Sequence, residues 1–391
     1  MLRLLIRVLI IVFVIGDVDA QQRICGNELF FGDKISKEKS ESNDSLVHHF
    51  INQNFSNVRS QITIPVVVHI LWFDPSENIS DEAIIAQLEI LNQDFTGSNI
   101  DINKVPEEFK GVIGSTNIRF CLASVTPENL PSAGIIRKRT NINEIGLSQN
   151  LYDTNAGGSD AWDSYKYLNI WVANSGSFIS GFGTYPNLAP PEKTGVVIHP
   201  KFFGNNNHPK FGLGRTLVHE VGHYLGLYHL WGDDSDCETD DGVEDTPPQM
   251  KEYKGCPMYP QSGCSTSEMF MNYMDYVDDG CMYFFTKGQV EKMLATINLF
   301  RLGLKNSEIG CVENFDFDLN IKVYPNPSYG ICTLETNKPI IDEIFIVNQL
   351  GQQIHPILQS KDNTLLLDIS IYPHGMYFLK IRNKSFKILK L

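Results

Sequence analysis

The chain of 391 residues has no basic surplus: 32 Lys and Arg face 46 Asp and Glu, for a net charge of −14. A general nucleic-acid binder needs a basic face, so that class falls away. Long apolar runs are scarce too. The run from Leu4 to Ile15 is shorter than the ~20 residues of a spanning helix. No later segment is apolar enough to cross a bilayer, so the mature protein is expected to carry no transmembrane helix. There is no internal repeat, which removes solenoid architectures. The cysteines at 237, 256, 264 and 281 lack the close C-x₂₋₄-C pairs of a zinc cluster, so disulfides are the favoured reading. Core-forming residues are not lacking. At 42% hydrophobic and 20% charged, the chain has the composition of ordinary globular protein, which excludes wholesale disorder.

Such a length fits two or three domains, and the texture of the sequence divides it. Arg3 and Arg7 precede or interrupt the first apolar run, and Val18-Asp19-Ala20 follows it. This is the layout of a secretory signal peptide over residues 1–20, and export makes disulfides available to the eight cysteines. Residues 21–59 are polar, with little periodicity, and read as a pro-segment or flexible leader, not a folded domain. Strand candidates follow at 62–71, 117–124, 134–139, 167–173 and 194–199. Helices are expected after Ser80, which can cap the first, from Arg215 to Leu225, and from Lys287 to Leu302. Residues 232–285, rich in Asp, Gly, Pro and Cys, read as irregular. This order predicts one α/β (α+β) domain over 60–312, and the short alternating strands of 317–391 predict a small all-β sandwich.

The chemistry concentrates in HEVGHYLGLYH, residues 219–229. His219 and His223 are four apart, so on a helix they share one face and can grip one metal ion. Glu220 stands beside them as a candidate base for a water. Gly226 can take a positive φ, end the helix and turn the chain back, bringing His229 in as a third ligand. Three protein ligands leave zinc an open position, which hydrolysis requires. His-Glu-x-x-His alone arises by chance in roughly one chain of this length in a hundred, and the added Gly and His make coincidence several hundredfold rarer. His48, His208 and His374, by contrast, read as structural or solvated.

The extended histidine motif, followed by Asn272-Tyr273-Met274-Asp275-Tyr276, resembles the metzincin metalloproteases. Asp241-Gly-Val-Glu-Asp-Thr-Pro247 and the bracketing cysteines make residues 60–312 most similar to the pappalysin family, of the ulilysin type. The resemblance implies a zinc protease domain with a twisted mixed sheet and an active-site helix. It implies Met274 as the floor of the zinc site and Tyr276 as a hydrogen-bond donor to the tetrahedral intermediate, with Glu220 activating the attacking water. It implies the disulfides Cys237–Cys264 and Cys256–Cys281. No partner is assigned to Cys121, Cys311 or Cys332. Residues 233–245 hold eight carboxylates. They read either as a solvated acidic loop or, as the resemblance implies, as a structural calcium site built from the Asp241 carboxylate, Thr246 and the carbonyls of Asp240 and Glu244. Asp279 matches the acid that selects Lys or Arg just after the scissile bond. Cys25, in the leader, matches the thiolate that keeps metzincin zymogens latent.

Residues 317–391, through YPNPSYG, IVNQLGQQI and the basic end KSFKILKL, resemble the sorting domain of the type IX secretion system. A carbohydrate-binding or structural β-domain is the other reading of this module. The expected protein is thus a secreted or surface-attached zinc metalloendopeptidase. Its partners would be protein or peptide substrates and the type IX secretion machinery, not nucleic acid. A catalytically silent zinc-binding adhesin is the alternative, and the intact Glu220 argues against it.

Overall fold

The computed structural model describes residues 24–27, 34–54, 61–177, 179–232, 236–264, 267–312, 321–336, 344–361, 364–381 and 384–391. The expected signal peptide lies outside them. The organising strand is β1 (Ile62–Trp72), whose β-branched run is buried almost throughout, as befits a strand covered on both faces. Along one edge it pairs in parallel with β2 (Ile118–Leu122) and, further on, with β3 (Ile135–Arg139). Along the other lies β4 (Leu168–Ala173), also parallel. The short β6 (Val196–Ile198) continues this direction, and β5 (Gly181–Gly183) closes the six-stranded mixed sheet in the antiparallel sense.

Helices cover the sheet. Ahead of α2 (Asp81–Phe95), Ser80 Oγ accepts from the Ala83 amide at 3.3 Å, as its sequence suggested. Ile84, Leu88, Leu91 and Phe95 of α2 face the core. The next helix, α3 (Arg215–Tyr224), is buried at every residue. A capping box of Thr286 and Gln289 opens α4 (Lys287–Phe300), and a single turn, α5 (Leu302–Lys305), follows. Between α3 and α4 the described residues are irregular apart from one turn of 3₁₀ helix, as expected.

The leader departs from the sequence reading. Residues Lys34–Asn54 form a helix, α1, rather than a flexible tether. Ser40, Asn43, Asp44, Val47, Phe50 and Ile51 turn inward at helical spacing, yet only the last three are apolar, so hydropathy gives little sign of the helix. Val47 is buried, the Asn43 side-chain amide donates to the Pro186 carbonyl at 2.9 Å, and Asp44 pairs with Lys292 of α4 at 3.2 Å. Polar docking of this kind is invisible to a search for an apolar stripe.

Three disulfides are present among the described residues. Two join Cys237 to Cys264 and Cys256 to Cys281 across the irregular segment. The third, Cys121–Cys311, ties β2 to the end of the α/β domain, where Val312 N donates to Leu122 O at 2.9 Å. Cys332 is a buried free thiol in the C-terminal domain. That domain stacks two antiparallel four-stranded sheets. One comprises β7 (Ile321–Tyr324), β8 (Ile331–Thr336), β11 (Ile357–Lys361) and β12 (Thr364–Asp368). The other comprises β9 (Ile344–Asn348), β10 (Gln353–Ile354), β13 (Gly375–Ile381) and β14 (Lys384–Lys390). Leu334, Leu365 and Leu367 from the first and Ile346, Leu379 and Ile388 from the second share one core. No helix among the described residues is long and apolar enough to cross a membrane.

Candidate metal centre

On α3, His219 and His223 fall one turn apart on the same face. The helix then ends in a Schellman motif: Leu227 N donates to Gly222 O at 3.0 Å and Gly226 N to His223 O at 2.9 Å. Gly226 takes φ +90°. This reversal carries His229 back under the helix. The Nε2 atoms of the three histidines stand 3.0, 3.1 and 3.3 Å apart, and all three side chains are buried.

Tautomers follow from partners. His219 Nδ1 lies 2.8 Å from the Tyr273 carbonyl, and His223 Nδ1 2.8 Å from the Leu227 carbonyl. A carbonyl oxygen only accepts, so both Nδ1 atoms carry the proton and both Nε2 atoms present lone pairs. Lone pairs converging at this distance need a cation among them. Four ligands at the usual Zn–N distance lie about 3.3 Å from one another, close to the spacing found. Neutral imidazole donors with a sulfur nearby suit zinc better than magnesium or calcium.

A fourth donor comes from the leader. Cys25 Sγ and the three histidine nitrogens all lie within 4.8 Å of one another. The same sulfur stands 3.3 Å from Glu220 Oε2, and both residues are buried. Residues 24–27 reach this position by pairing along edge strand β5: Ser180 N donates to Ile24 O at 2.9 Å and Gly26 N to Gly181 O at 2.8 Å. Residues 24–27 therefore lie beside the histidines.

Met274 lies beneath the helix, its sulfur where a β-carbon on Gly222 would meet it at 2.6 Å. The Tyr276 ring stands edge-on to His229 at 4.9 Å and tilted toward His219 at 5.7 Å. Two side chains escaped the sequence reading here. Trp231 stacks flat on His229, with ring centres 4.5 Å apart. Asp275, between Met274 and Tyr276, accepts from Tyr253 N, Tyr276 N and the Gln249 side chain at 2.8, 2.6 and 2.7 Å and so shapes the turn. Burial pushes its carboxyl up to about 7.

The remaining candidates are placed as follows. Asp279 is buried, its Oδ2 accepting from the amides of Leu213 and Arg215 at 2.8 and 3.3 Å, at the start of α3. The Arg215 guanidinium donates to the Asp279 carbonyl at 2.8 Å and pairs with Asp101 at 2.9 Å and Asp94 at 3.4 Å. Asp279 thus has a structural task, which a buried arginine opening a helix could have signalled. Asp241 and Thr246 come together, with Thr246 Oγ1 donating to Asp241 Oδ1 at 2.6 Å. Asp241 Oδ2 is buried without a hydrogen-bond partner, and burial raises this carboxyl to about 7 against the pull of the Lys292 charge. Asp240 and Glu244 lie nearby in sequence with exposed side chains.

A family model described as pregnancy-associated plasma protein-A, peptidase family M43, matches residues 152–298, and one described as a secretion system C-terminal sorting domain matches 322–390. Mature mirolysin of Tannerella forsythia in complex with a cleaved peptide is 41% identical with a TM-score of 0.61, the match covering 63% of this chain and 96% of that one. A promirolysin mutant from the same organism is 37% identical with a TM-score of 0.67, covering 72% and 97%. An extracellular metalloprotease of Arthroderma otae is 29% identical over 295 residues, 74% of this chain and 95% of that protein.

The geometry at the helix end yields a test. A side chain at Gly226 would suffer both the left-handed backbone, at about 1–2 kcal/mol, and a β-carbon 2.6 Å from Thr296 Oγ1. Gly226→Ala is expected to lower the denaturation midpoint and the zinc content together. Normal values of both would show that the reversal does not hold His229.

Proposed function

The chain belongs to the M43, pappalysin-like family of metzincin metalloproteases, with a type IX secretion sorting domain at its C-terminus, and from that premise we propose that it is a zinc-dependent endopeptidase made as a latent precursor. The observation that carries the proposal is the convergence of three histidine Nε2 atoms beside a buried glutamate. His219, His223 and His229 would hold the zinc, which supplies Lewis acidity and an acidified water when bound. Glu220, one residue from the first ligand, takes the proton of the attacking water and passes it to the leaving amine. The buried site around it keeps bulk water from competing for that proton. Tyr276, beside His229 and His219, donates its hydroxyl to the developing oxyanion. Met274 and Trp231 pack the histidines from below and from the side. Asp279 is assigned to selection of Lys or Arg after the scissile bond, on the strength of the resemblance. Purified mature protein on denatured casein should give new N-termini at Lys or Arg; termini scattered over other residues would remove that assignment. In the same assay Glu220→Ala should retain zinc yet lose ~10²–10⁴-fold in rate. Full activity in that variant would sink the mechanism.

Latency is assigned to Cys25. Its sulfur stands among the metal donors and against the proposed base, so one side chain blocks both the open coordination position and the proton acceptor. The expected effect of Cys25→Ala is proteolytic activity in the uncleaved chain. A variant as silent as the parent would assign latency to another contact.

Calcium is assigned to the loop around Asp241. A buried carboxylate oxygen without a hydrogen-bond partner suits a hard cation, with Thr246 adjacent and the carbonyls of Asp240 and Glu244 completing the set. Selective removal of calcium, with zinc retained, should lower the melting temperature. No change would leave the segment an ordinary acidic loop.

The sorting domain makes the protein a client of the type IX secretion machinery and places it outside the cell, in the medium or on the outer surface. Its substrates are proteins or peptides.

A further inference from the structure

Each metal-facing histidine needs its ring held from behind, and His223 is held by two elements rather than one. Its Nδ1 lies 2.8 Å from the Leu227 carbonyl and 3.2 Å from the hydroxyl of Tyr185. Leu227 belongs to the turn that ends the helix, so it moves with His223. Tyr185 comes from the β5–β6 connection and ties the ring to the sheet. We propose that Tyr185 is a positioning residue for His223, its hydroxyl oxygen taking the second branch of the Nδ1–H hydrogen bond and fixing the plane in which Nε2 meets the metal. The proposal rests on the reading of the three-histidine site as a zinc centre.

The surroundings of Tyr185 are built for this task. The residue is buried, its ring edge-on to His223 at 5.3 Å and tilted against Tyr228 at 5.2 Å. Tyr228 is backed in turn by the Lys292 ammonium, 4.2 Å above its ring. The backbone on either side is pinned. Thr184 N donates to Gly195 O at 3.0 Å, Gly195 N donates to Thr184 Oγ1 at 2.9 Å, and Arg301 donates to Thr184 O at 3.1 Å. The Pro186 carbonyl accepts from Asn43 of the leader at 2.9 Å. The Gly195 and Arg301 bonds do not involve the leader, so the tyrosine keeps its place when the leader is removed. A hydrogen bond held by so many fixed neighbours is pre-organised, and outer partners of this type set both the tautomer and the basicity of a ligating imidazole.

The test uses the full chain carrying Cys25→Ser, so that the leader sulfur does not mask the histidines. Zinc affinity is measured by competition with a chromophoric chelator, with Tyr or Phe at 185. Tyr185→Phe keeps the ring and its packing and removes the hydroxyl. The Leu227 bond remains, so the expected loss of zinc affinity is about tenfold, the low end of the range for outer partners. The melting temperature of the metal-free protein should stay the same. Affinity within about twofold of the parent would overturn the proposal, and so would a loss matched by a lower metal-free melting temperature, which would assign the hydroxyl to the fold alone. Failure of the underlying zinc reading looks different: neither protein would bind one equivalent of zinc.

Discussion

Three imidazole Nε2 atoms stand 3.0–3.3 Å apart, and the two with inward lone pairs, those of His219 and His223, repel one another unless a cation joins them. The α/β domain is arranged to hold them against that repulsion. Helix α3 supplies two of them and the reversal at Gly226 supplies the third. The carbonyls of Tyr273 and Leu227 fix the tautomers of His219 and His223, so that their lone pairs rather than protons point inward. The start of the helix is anchored by Arg215, whose charge is buried among Asp94, Asp101 and the Asp279 carbonyl. A buried cation is tolerable only when such partners surround it.

The segment between α3 and α4 solves a different problem. Its described residues have almost no regular structure, yet they hold Met274 against Gly222 of α3 and Tyr276 against His229. Buried irregular backbone needs partners for every polar group. Here carboxylates provide them: Asp275 accepts from two amides and a glutamine, and Glu268 accepts from the amide of Cys264 at 2.7 Å. The disulfides Cys237–Cys264 and Cys256–Cys281 cross-link the same stretch and restrict its unfolded forms. Polar and covalent ties thus add to the apolar packing of Met269, Met271, Tyr273, Met274 and Phe284, which are buried in the main core.

The leader holds on at two separated places. Residues 24–27 extend the sheet at β5 and bring Cys25 to the histidines, while α1 docks through Asn43, Asp44 and Val47. Main-chain pairing and polar contacts dominate both. Such contacts are specific in geometry but modest in net energy, because each replaces a bond to water.

The amino-acid order by itself determined what depends on local spacing. It gave the helix that pairs His219 with His223, the glycine that turns the chain toward His229, the positions of β1 and most of its neighbours and the alternating strands of the sorting domain. Only the tertiary structure decided the rest. The Cys121–Cys311 bond joins residues 190 apart and has no local signature. Trp231 and Tyr185 reach the histidines through packing rather than through a motif. The leader helix carries too short an apolar stripe to announce itself. Asp279, read as a specificity residue from its place after the methionine turn, accepts from the backbone at the start of a helix distant in sequence. Periodicity and turn chemistry are written residue by residue, whereas long-range partners are chosen only when the folded chain brings surfaces together.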